Sequence, residues 1–127
     1  MLSLTSQMQF SQARDAIECV EKLVLEMLPS ILSLRSRKSF KADNSIVTEA
    51  DFLVEREVES SLRSRLGEIN FMGEESFLER GYSTDGWTAV LDPIDGTENF
   101  SSGSKIWGVS LSIWHNGEHA CSMLMLP

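Results

Sequence analysis

The sequence predicts an α/β layered fold in which two long helices pack on a mostly antiparallel sheet. Apolar residues recur every three or four positions over residues 10–31 and 50–66, which is the period of a helix with one buried face. Over residues 107–113 apolar residues instead alternate with glycine and serine, which is the period of a strand. The dipeptide Asn116-Gly117, between that stretch and a second apolar run, is typical of a β-hairpin.

Length and charge limit the classes of protein to consider. The chain has 127 residues, and we expect residues 1–127 to form a single but incomplete domain. It carries 11 Lys and Arg against 19 Asp and Glu, a net charge of −8, which argues against nucleic acid as a partner. No apolar run approaches the ~18 residues of a membrane span, and the N-terminus lacks the pattern of a secretory signal. We therefore expect a cytoplasmic protein without a nucleic-acid or membrane partner.

The first helix has one apolar stripe along its length. Pro29 has no amide to bond the carbonyl of Leu25, so we expect a break or kink there. Residues 35–45 are polar and carry turn residues, which predicts a connection. The stripe consists of Phe10, Ala13, Ile17, Val20, Val24, Met27 and Ile31.

The second helix is predicted to begin after Thr48, with apolar residues at steps of four. Gly67 suits the left-handed position after its last turn, which holds Arg63 and Arg65. Thr48 and Asp51 have the spacing of a helix cap, so Asp51 could be simply a capping residue. The apolar residues are Ala50, Val54, Val58, Leu62 and Leu66.

Three further strands are predicted around these helices. The pattern predicts a short strand over residues 69–72. It predicts a second strand over residues 87–91, which ends at Asp92-Pro93. Residues 118–126 return from the hairpin and are nearly all apolar towards their end. Such a run suits a strand that is covered on both faces.

The segment whose residues best suit a functional site is residues 91–100, LDPIDGTENF. Pro93 ends the predicted strand, Gly96 permits a sharp turn and Thr97 can start a short helix. Asp92 and Asp95 can converge on one site, where their mutual repulsion favours a cation between them. The free amides of Gly96 and Thr97 could hold a phosphate there, and carboxylate oxygens suit Mg²⁺.

The same segment has a simpler interpretation. Asp-Pro and Asp-Gly are ordinary turn dipeptides, and alone they are usually only turns. Glu74, which follows another predicted strand, favours the functional interpretation. Ligands of α/β sheets gather beyond the carboxyl ends of strands, where all three carboxylates would lie.

Residues 92–100 closely resemble the signature of the inositol monophosphatase family, which are magnesium-dependent, often lithium-sensitive phosphatases. Three further segments resemble its motifs in the same order: residues 41–51 (KADNSIVTEAD), residues 71–76 (FMGEES) and residues 100–110. The resemblance covers the chain from about Lys41 onward. It implies the N-terminal portion of the sugar-phosphatase fold of this family.

The resemblance implies a set of metal ligands. Glu74 and Asp92, with the carbonyl of Ile94, would ligate the first magnesium. Asp92 would bridge to a second magnesium, which Asp95 also holds. Complete members of the family have two or three such sites. Their second half supplies another aspartate after a tryptophan, and none of the tryptophans in this chain precedes an aspartate, so the first site would be complete and the second would lack one ligand.

The resemblance also implies the catalytic and phosphate-binding residues. Thr97, paired with Asp51, would orient and help to deprotonate the attacking water, and Glu74 belongs to the catalytic set as well. The phosphate would be bound by Asp95, Gly96 and Thr97. Lys41 resembles a basic residue near the site with a lesser role.

The leading hypothesis is therefore a Mg²⁺-dependent phosphomonoester hydrolase in which a metal-activated water attacks the phosphate directly. Its substrate would be an inositol phosphate or a similar small phosphorylated molecule. One alternative is a truncated, catalytically impaired relative that binds a metal or a partner, and another is a member of the bisphosphate-nucleotidase or fructose-bisphosphatase type. A homodimer or a complementing C-terminal half is the expected protein partner.

Overall fold

The computed structural model of the chain describes residues 4–73 and 85–127. In chain order its elements are α1 (Leu4–Ser33), β1 (Lys38–Phe40), β2 (Ile46–Thr48), α2 (Glu49–Leu66), β3 (Ile69–Gly73), β4 (Trp87–Asp95), α3 (Thr97–Ser101), β5 (Gly108–His115) and β6 (Glu118–Met125).

Four of the described strands form the main sheet, in the order β3-β4-β5-β6. β3 and β4 run parallel, and the other two pairs are antiparallel. α1 packs against β5 and β6, and α2 packs against β3 and β4, so both helices cover the same sheet. The predicted layering of two long helices on a mostly antiparallel sheet is confirmed. The core between the layers includes Val20, Val24, Val54, Val58, Leu91, Leu111 and Ile113, all fully or almost fully buried.

α1 continues through Pro29 without interruption, so of the predicted break or kink the break is wrong, and the kink stays a prediction. Pro29 and Leu25 are both exposed, and water can therefore solvate the Leu25 carbonyl that proline leaves without an amide donor. Most of the predicted stripe is buried. Met27 is partly buried, and Phe10, near the start of the helix, has 44% of its surface exposed. No helix among the residues described is long and apolar enough to cross a membrane.

α2 begins with the predicted cap. The backbone N–H of Thr48 donates to Asp51, and the N–H of Asp51 donates to the Thr48 hydroxyl oxygen, which is the reciprocal pattern of a capping box. Gly67 ends the helix with a φ of 77°, but its ψ of −133° lies outside the left-handed helical region that the sequence predicts.

The predicted connection over residues 35–45 contains a structure that the sequence did not indicate. β1 and β2 pair as a small antiparallel hairpin, with Lys38 opposite Thr48 and Phe40 opposite Ile46. Each strand has three residues, which is too short for an alternating pattern to be recognised. This hairpin matters because its turn faces the carboxylate-rich segment.

β4 is longer than the sequence predicts. It continues to Asp95, but its pairing with β5 shifts between Asp92, which lies opposite Ser110, and Asp95, which lies opposite Gly108. Pro93 lies within this bulge and has no N–H for the ladder. The prediction that Pro93 disturbs the pairing is therefore right, while the predicted end of the strand is wrong.

The hairpin between β5 and β6 is confirmed. Asn116 and Gly117 have φ values of 49° and 80°, and positive φ at both positions is the mark of a type I′ turn. β6 is not covered on both faces, because the helices reach only one side of the sheet. Leu124 on the other side is 66% exposed, so that prediction is wrong for the described part of the chain.

Candidate active site

The bulged end of β4 carries Asp92, Ile94 and Asp95, and α3 begins two residues later. Gly96 makes the turn between them with a φ of 85° and a ψ of 44°. A Cβ at this position would lie 3.2 Å from the carbonyl oxygen of Ile106. The positive φ and this close approach both favour glycine.

A cavity of about 480 Å³ lies beside this turn. The β4–α3 segment forms one wall, with Asp92, Ile94, Asp95, Gly96, Thr97 and Glu98. The β1–β2 hairpin forms the other wall, with Phe40, Lys41, Asn44, Ser45 and Ile46. Lys41, which the sequence identified, thus lies across the cavity from the carboxylates. The sequence reasoning did not identify the other four residues of the hairpin.

Asp51 is fully buried, and both of its carboxylate oxygens have partners. Its Oδ2 accepts hydrogen bonds from the Thr48 backbone N–H at 2.8 Å and from the Thr48 hydroxyl at 2.6 Å. Its Oδ1 lies 3.2 Å from the hydroxyl oxygen of Thr97. The capping interpretation and the functional interpretation of Asp51 therefore hold together, since the cap uses one oxygen and leaves the other towards Thr97.

The Thr97 hydroxyl has two acceptors within reach. It lies 3.2 Å from Asp51 Oδ1 and 2.9 Å from the carbonyl oxygen of Ile94. Because a hydroxyl carries one hydrogen, it donates fully to only one of them at a time. The Ile94 carbonyl has two lone pairs, so it can accept this hydrogen bond and still face a cation.

The donor atoms at the end of β4 fit a hard divalent cation. The side chain of Asp92 is partly buried and that of Asp95 is exposed, and both line the cavity together with Ile94. Carboxylate and carbonyl oxygens are the ligands that Mg²⁺ takes in proteins. Within residues 4–73 and 85–127, no three His, Cys, Asp or Glu side chains come close enough to hold a metal. Glu74, the third predicted carboxylate, lies outside the described residues.

The turn of the β1–β2 hairpin is held by its own side chains. The Ser45 hydroxyl and the Ser45 N–H both donate to the Asp43 carboxylate, at 2.6 and 3.0 Å. These hydrogen bonds, the side-chain one first, lower the pKa of Asp43 below its ordinary value of 3.8. The turn that carries Lys41 and Asn44 is therefore tied together by an ionised Asp43 at neutral pH.

A comparison with protein families finds one match along almost the whole chain. The model described as the inositol monophosphatase family matches residues 6–127. Among curated relatives, the probable inositol 1-monophosphatase ImpA of Mycobacterium tuberculosis is 36% identical over 88 residues, which is 68% of this chain and 31% of that protein. The fructose-1,6-bisphosphatase/inositol-1-monophosphatase of Thermotoga maritima is 35% identical over 82 residues, 65% of this chain and 30% of that protein.

Solved structures share the fold. An IMPase/NADP phosphatase complexed with Mg²⁺ and phosphate superposes with a TM-score of 0.75 at 18% identity, over 91% of this chain and 44% of that one. The likeness at this identity concerns the fold alone. The alignments with the two curated relatives span 31% and 30% of those proteins, which is less than a third of their length.

Proposed function

The chain belongs to the inositol monophosphatase family, and from that premise we propose that it supplies metal-binding and water-activating residues of a Mg²⁺-dependent phosphomonoester hydrolase. The observation that carries the proposal is the approach of Thr97 Oγ1 to Asp51 Oδ1, at 3.2 Å, beside a cavity lined by Asp92 and Asp95. Since the chain spans less than a third of the length of these curated relatives, the activity of a whole protein is part of the proposal.

The metal would be held by Asp92, Asp95 and the Ile94 carbonyl, together with Glu74. When bound, Mg²⁺ polarises phosphoryl oxygens and lowers the pKa of a coordinated water. The chemistry of the described donors supports this assignment, because all of them are oxygen atoms and all line one wall of the cavity. The number of metal ions belongs to the proposal as well.

Thr97 and Asp51 would orient the attacking water. When the Thr97 hydroxyl donates to Asp51 Oδ1, its oxygen keeps lone pairs that can accept a hydrogen bond from water in the cavity. Thr48 fixes the Asp51 carboxylate from the other side, through two hydrogen bonds to Oδ2. The pair is therefore preorganised by the start of α2, and the proton of the water can pass towards a buried carboxylate.

The phosphate would lie against the start of α3. No side chain of the described residues caps this helix, whose Ncap is Gly96. The first N–H groups of a helix have no partner within it and favour an anion. Asp95, Gly96 and Thr97 are the residues that we propose to bind the phosphate, and Lys41 on the opposite wall would add a positive charge.

Phosphate release is the direct test. The purified chain should release inorganic phosphate from an inositol monophosphate only when Mg²⁺ is present, and Li⁺ should reduce the rate. Fructose 1,6-bisphosphate, histidinol phosphate and a 3′-phosphoadenosine nucleotide, assayed in parallel, would identify the substrate type.

Two variants make the test specific. Asp92→Asn should abolish release, because it removes a proposed metal ligand at nearly unchanged shape. Asp15→Asn, the same substitution at an exposed site on α1, should leave it unchanged. The proposal is wrong if no ester is hydrolysed with Mg²⁺, either by the chain alone or after the C-terminal half of a relative is added.

A further inference from the structure

We propose that Arg35 is a positioning residue that holds α3, and through it Thr97, in place beside Asp51; the consequence for catalysis rests on the function proposed above. Arg35 follows the end of α1. Its Nε donates to the carbonyl oxygen of Phe100 at 3.0 Å, and its Nη2 donates to the carbonyl oxygen of Ser104 at 3.3 Å. Its guanidinium carbon also lies 5.0 Å from the centre of the Phe100 ring, within range of a cation–π interaction.

α3 needs support from outside because it has only five residues. Isolated helices of this length do not form in water, since nucleation is unfavourable and few hydrogen bonds repay it. The carbonyls of its last turn point away from the helix and carry the negative end of its dipole. The Arg35 guanidinium lies at that end and bonds one carbonyl in the helix and one after it.

The geometry of the guanidinium is what this contact uses. Its planar fork can donate to two carbonyls at once while its face covers an aromatic ring, and an ammonium group cannot reproduce this arrangement. Arg37, two residues further, differs in its environment. It pairs with Glu49 at 3.3 Å, and both side chains are mostly exposed, at 65% and 59%.

Phe100 connects this contact to the catalytic pair. Its side chain is fully buried and meets the ring of Trp107 edge to face, with centroids 4.9 Å apart. Thr97 begins the same helix, one turn earlier, and its hydroxyl reaches Asp51. Because five residues of helix move together, a shift of Phe100 changes the distance between Thr97 and Asp51. Arg35 itself is not among the residues that line the cavity.

The first experiment measures the position of α3 without any need for activity. In Arg35→Lys, the amide signals of Thr97 and Asp51 and the indole signal of Trp107 should shift in the NMR spectrum. Trp87 and Trp114, which contact His115 and Ser112 near the hairpin of the sheet, are internal controls whose indole signals should stay unchanged. Arg37→Lys, the matched substitution, should leave all of these signals unchanged.

Native signals for Thr97 and Trp107 in a folded Arg35→Lys variant would overturn the inference. Should that variant fail to fold by circular dichroism, the native chain decides the question. The Nε–H proton of Arg35 should exchange with solvent much more slowly than that of Arg37. Equal exchange rates for the two arginines would contradict the proposed role.

The second experiment connects the position of α3 to catalysis. In Arg35→Lys we expect kcat for phosphate release to fall on the order of tenfold, because small displacements of positioned groups reduce rates strongly. The Mg²⁺ concentration that gives half the maximal rate should stay near the native one, since Asp92 and Asp95 belong to β4. A native kcat in a variant with shifted Thr97 signals would contradict the catalytic consequence. If the native chain releases no phosphate, either alone or with the C-terminal half of a relative, the proposed function fails, while the NMR and exchange measurements still decide the role of Arg35.

Discussion

At the scale of single residues, Asp51 combines two tasks that are usually assigned to different side chains. Burying a carboxylate is unfavourable unless hydrogen bonds compensate for the lost water. Here Thr48 donates two hydrogen bonds to Asp51 Oδ2, and the Thr97 hydroxyl lies within hydrogen-bond distance of Asp51 Oδ1. The start of α2 and the candidate site therefore depend on the same carboxylate.

Asp51→Asn should separate the charge from the shape. The substitution replaces one of the two carboxylate oxygens with an NH2 group, which only donates. The one remaining oxygen cannot face both Thr48 and Thr97. If the remaining oxygen faces Thr48, the NH2 group faces Thr97 and donates to its hydroxyl oxygen. The hydroxyl hydrogen of Thr97 then points towards the Ile94 carbonyl. We expect the free energy of unfolding to fall by about 1–3 kcal/mol and phosphate release to be lost. Urea denaturation and the phosphate assay measure the two effects.

Glu49→Gln, an exposed neighbour in the same turn of α2, is the control for Asp51→Asn and should change the stability by less than about 0.5 kcal/mol. Native stability together with native phosphate release in Asp51→Asn would show that the carboxylate has neither task.

Gly73 is constrained by a buried acidic side chain. A Cβ added to Gly73 would lie 2.4 Å from Cδ of Glu55, and Glu55 is only 7% exposed. Gly73→Ala should therefore lower the stability by about 1–3 kcal/mol, as overpacking does. In a Glu55→Ala background, Gly73→Ala should lower the free energy of unfolding much less. A double-mutant cycle by urea denaturation measures this difference. Equal effects in both backgrounds would mean that the collision is relieved elsewhere.

These residue contacts mark the limit of what the sequence could predict at this scale. The cap at Thr48 and Asp51 was predictable, because its partners are three residues apart and the pattern is local. Arg35 and Phe100 are 65 residues apart, and Gly73 meets Glu55 across a helix–strand contact. No local pattern encodes such pairs, since they arise only when the layers pack.

At the scale of elements, α1 tolerates a proline because of where it lies. Pro29 is on the exposed side of a helix whose other side is buried against the sheet. The packing of Val20, Val24 and Ile31 holds the helix together on both sides of the missing hydrogen bond. The prediction of a break or kink rested on the hydrogen bond that proline cannot make, and tertiary contacts keep the helix continuous despite that loss.

Pro29→Ala should stabilise the protein. It restores an N–H that can donate to the Leu25 carbonyl and removes a residue that is unfavourable inside helices. We expect a rise of about 1–3 kcal/mol in the free energy of unfolding, measured by urea denaturation. Leu25→Ala, on the same exposed side, is the control that leaves the backbone bond unmade. A loss of stability in Pro29→Ala would mean that the proline fits a local bend that alanine does not adopt.

The β1–β2 hairpin should loosen in acid. The folded pKa of Asp43 lies below its ordinary value of 3.8, so the ionised form stabilises the turn at every pH above that value. This contribution is lost as the pH falls through the lower, folded pKa. The amide signal of Ser45 should therefore move to its unfolded position below about pH 4, and in Asp43→Asn the signal should not titrate. A Ser45 signal that does not change between pH 6 and about pH 2 in the native chain would contradict this prediction.

At the scale of the whole molecule, the helices cover one face of the sheet and the described residues leave the other largely open. Val90 and Leu124 are 41% and 66% exposed on that open face. Within residues 4–73 and 85–127, β6 pairs only with β5 and leaves its second edge unpaired. Apolar edge strands of this kind tend to pair with other chains.

The isolated chain should therefore associate at high concentration. Leu124→Lys places a charge on the exposed face of the edge strand and should keep the chain monomeric, as such charges do in natural edge strands. Leu25→Lys, at an exposed position on α1, is the matched control and should associate like the native chain. Sedimentation velocity over a range of concentrations measures both, and a native chain that stays monomeric throughout would contradict the prediction.

The fold of the whole molecule was largely predictable, and its site only in part. Two helical periods, one alternating strand and the Asn116-Gly117 turn are strong local signals, and the layers follow from burying their apolar faces. The prediction that β6 is covered on both faces was wrong, because an apolar run does not reveal which face of a strand packs against other residues. The roles of Asp92, Asp95 and Thr97 remain predictions, although the structure places all three beside one cavity.

The contact between α1 and β6 joins the first element of the chain to the last. A ribosome makes α1 well before β5 and β6, so the part of α1 that packs on the sheet has no strand to contact until those two strands have emerged, while α2 can cover another part of it earlier. Neighbouring strands of the sheet follow one another in the sequence and can pair as they appear. During synthesis the nascent chain is thus expected to expose the sheet-facing part of α1 until β5 and β6 have emerged, which makes it a client for chaperones that recognise uncovered helices.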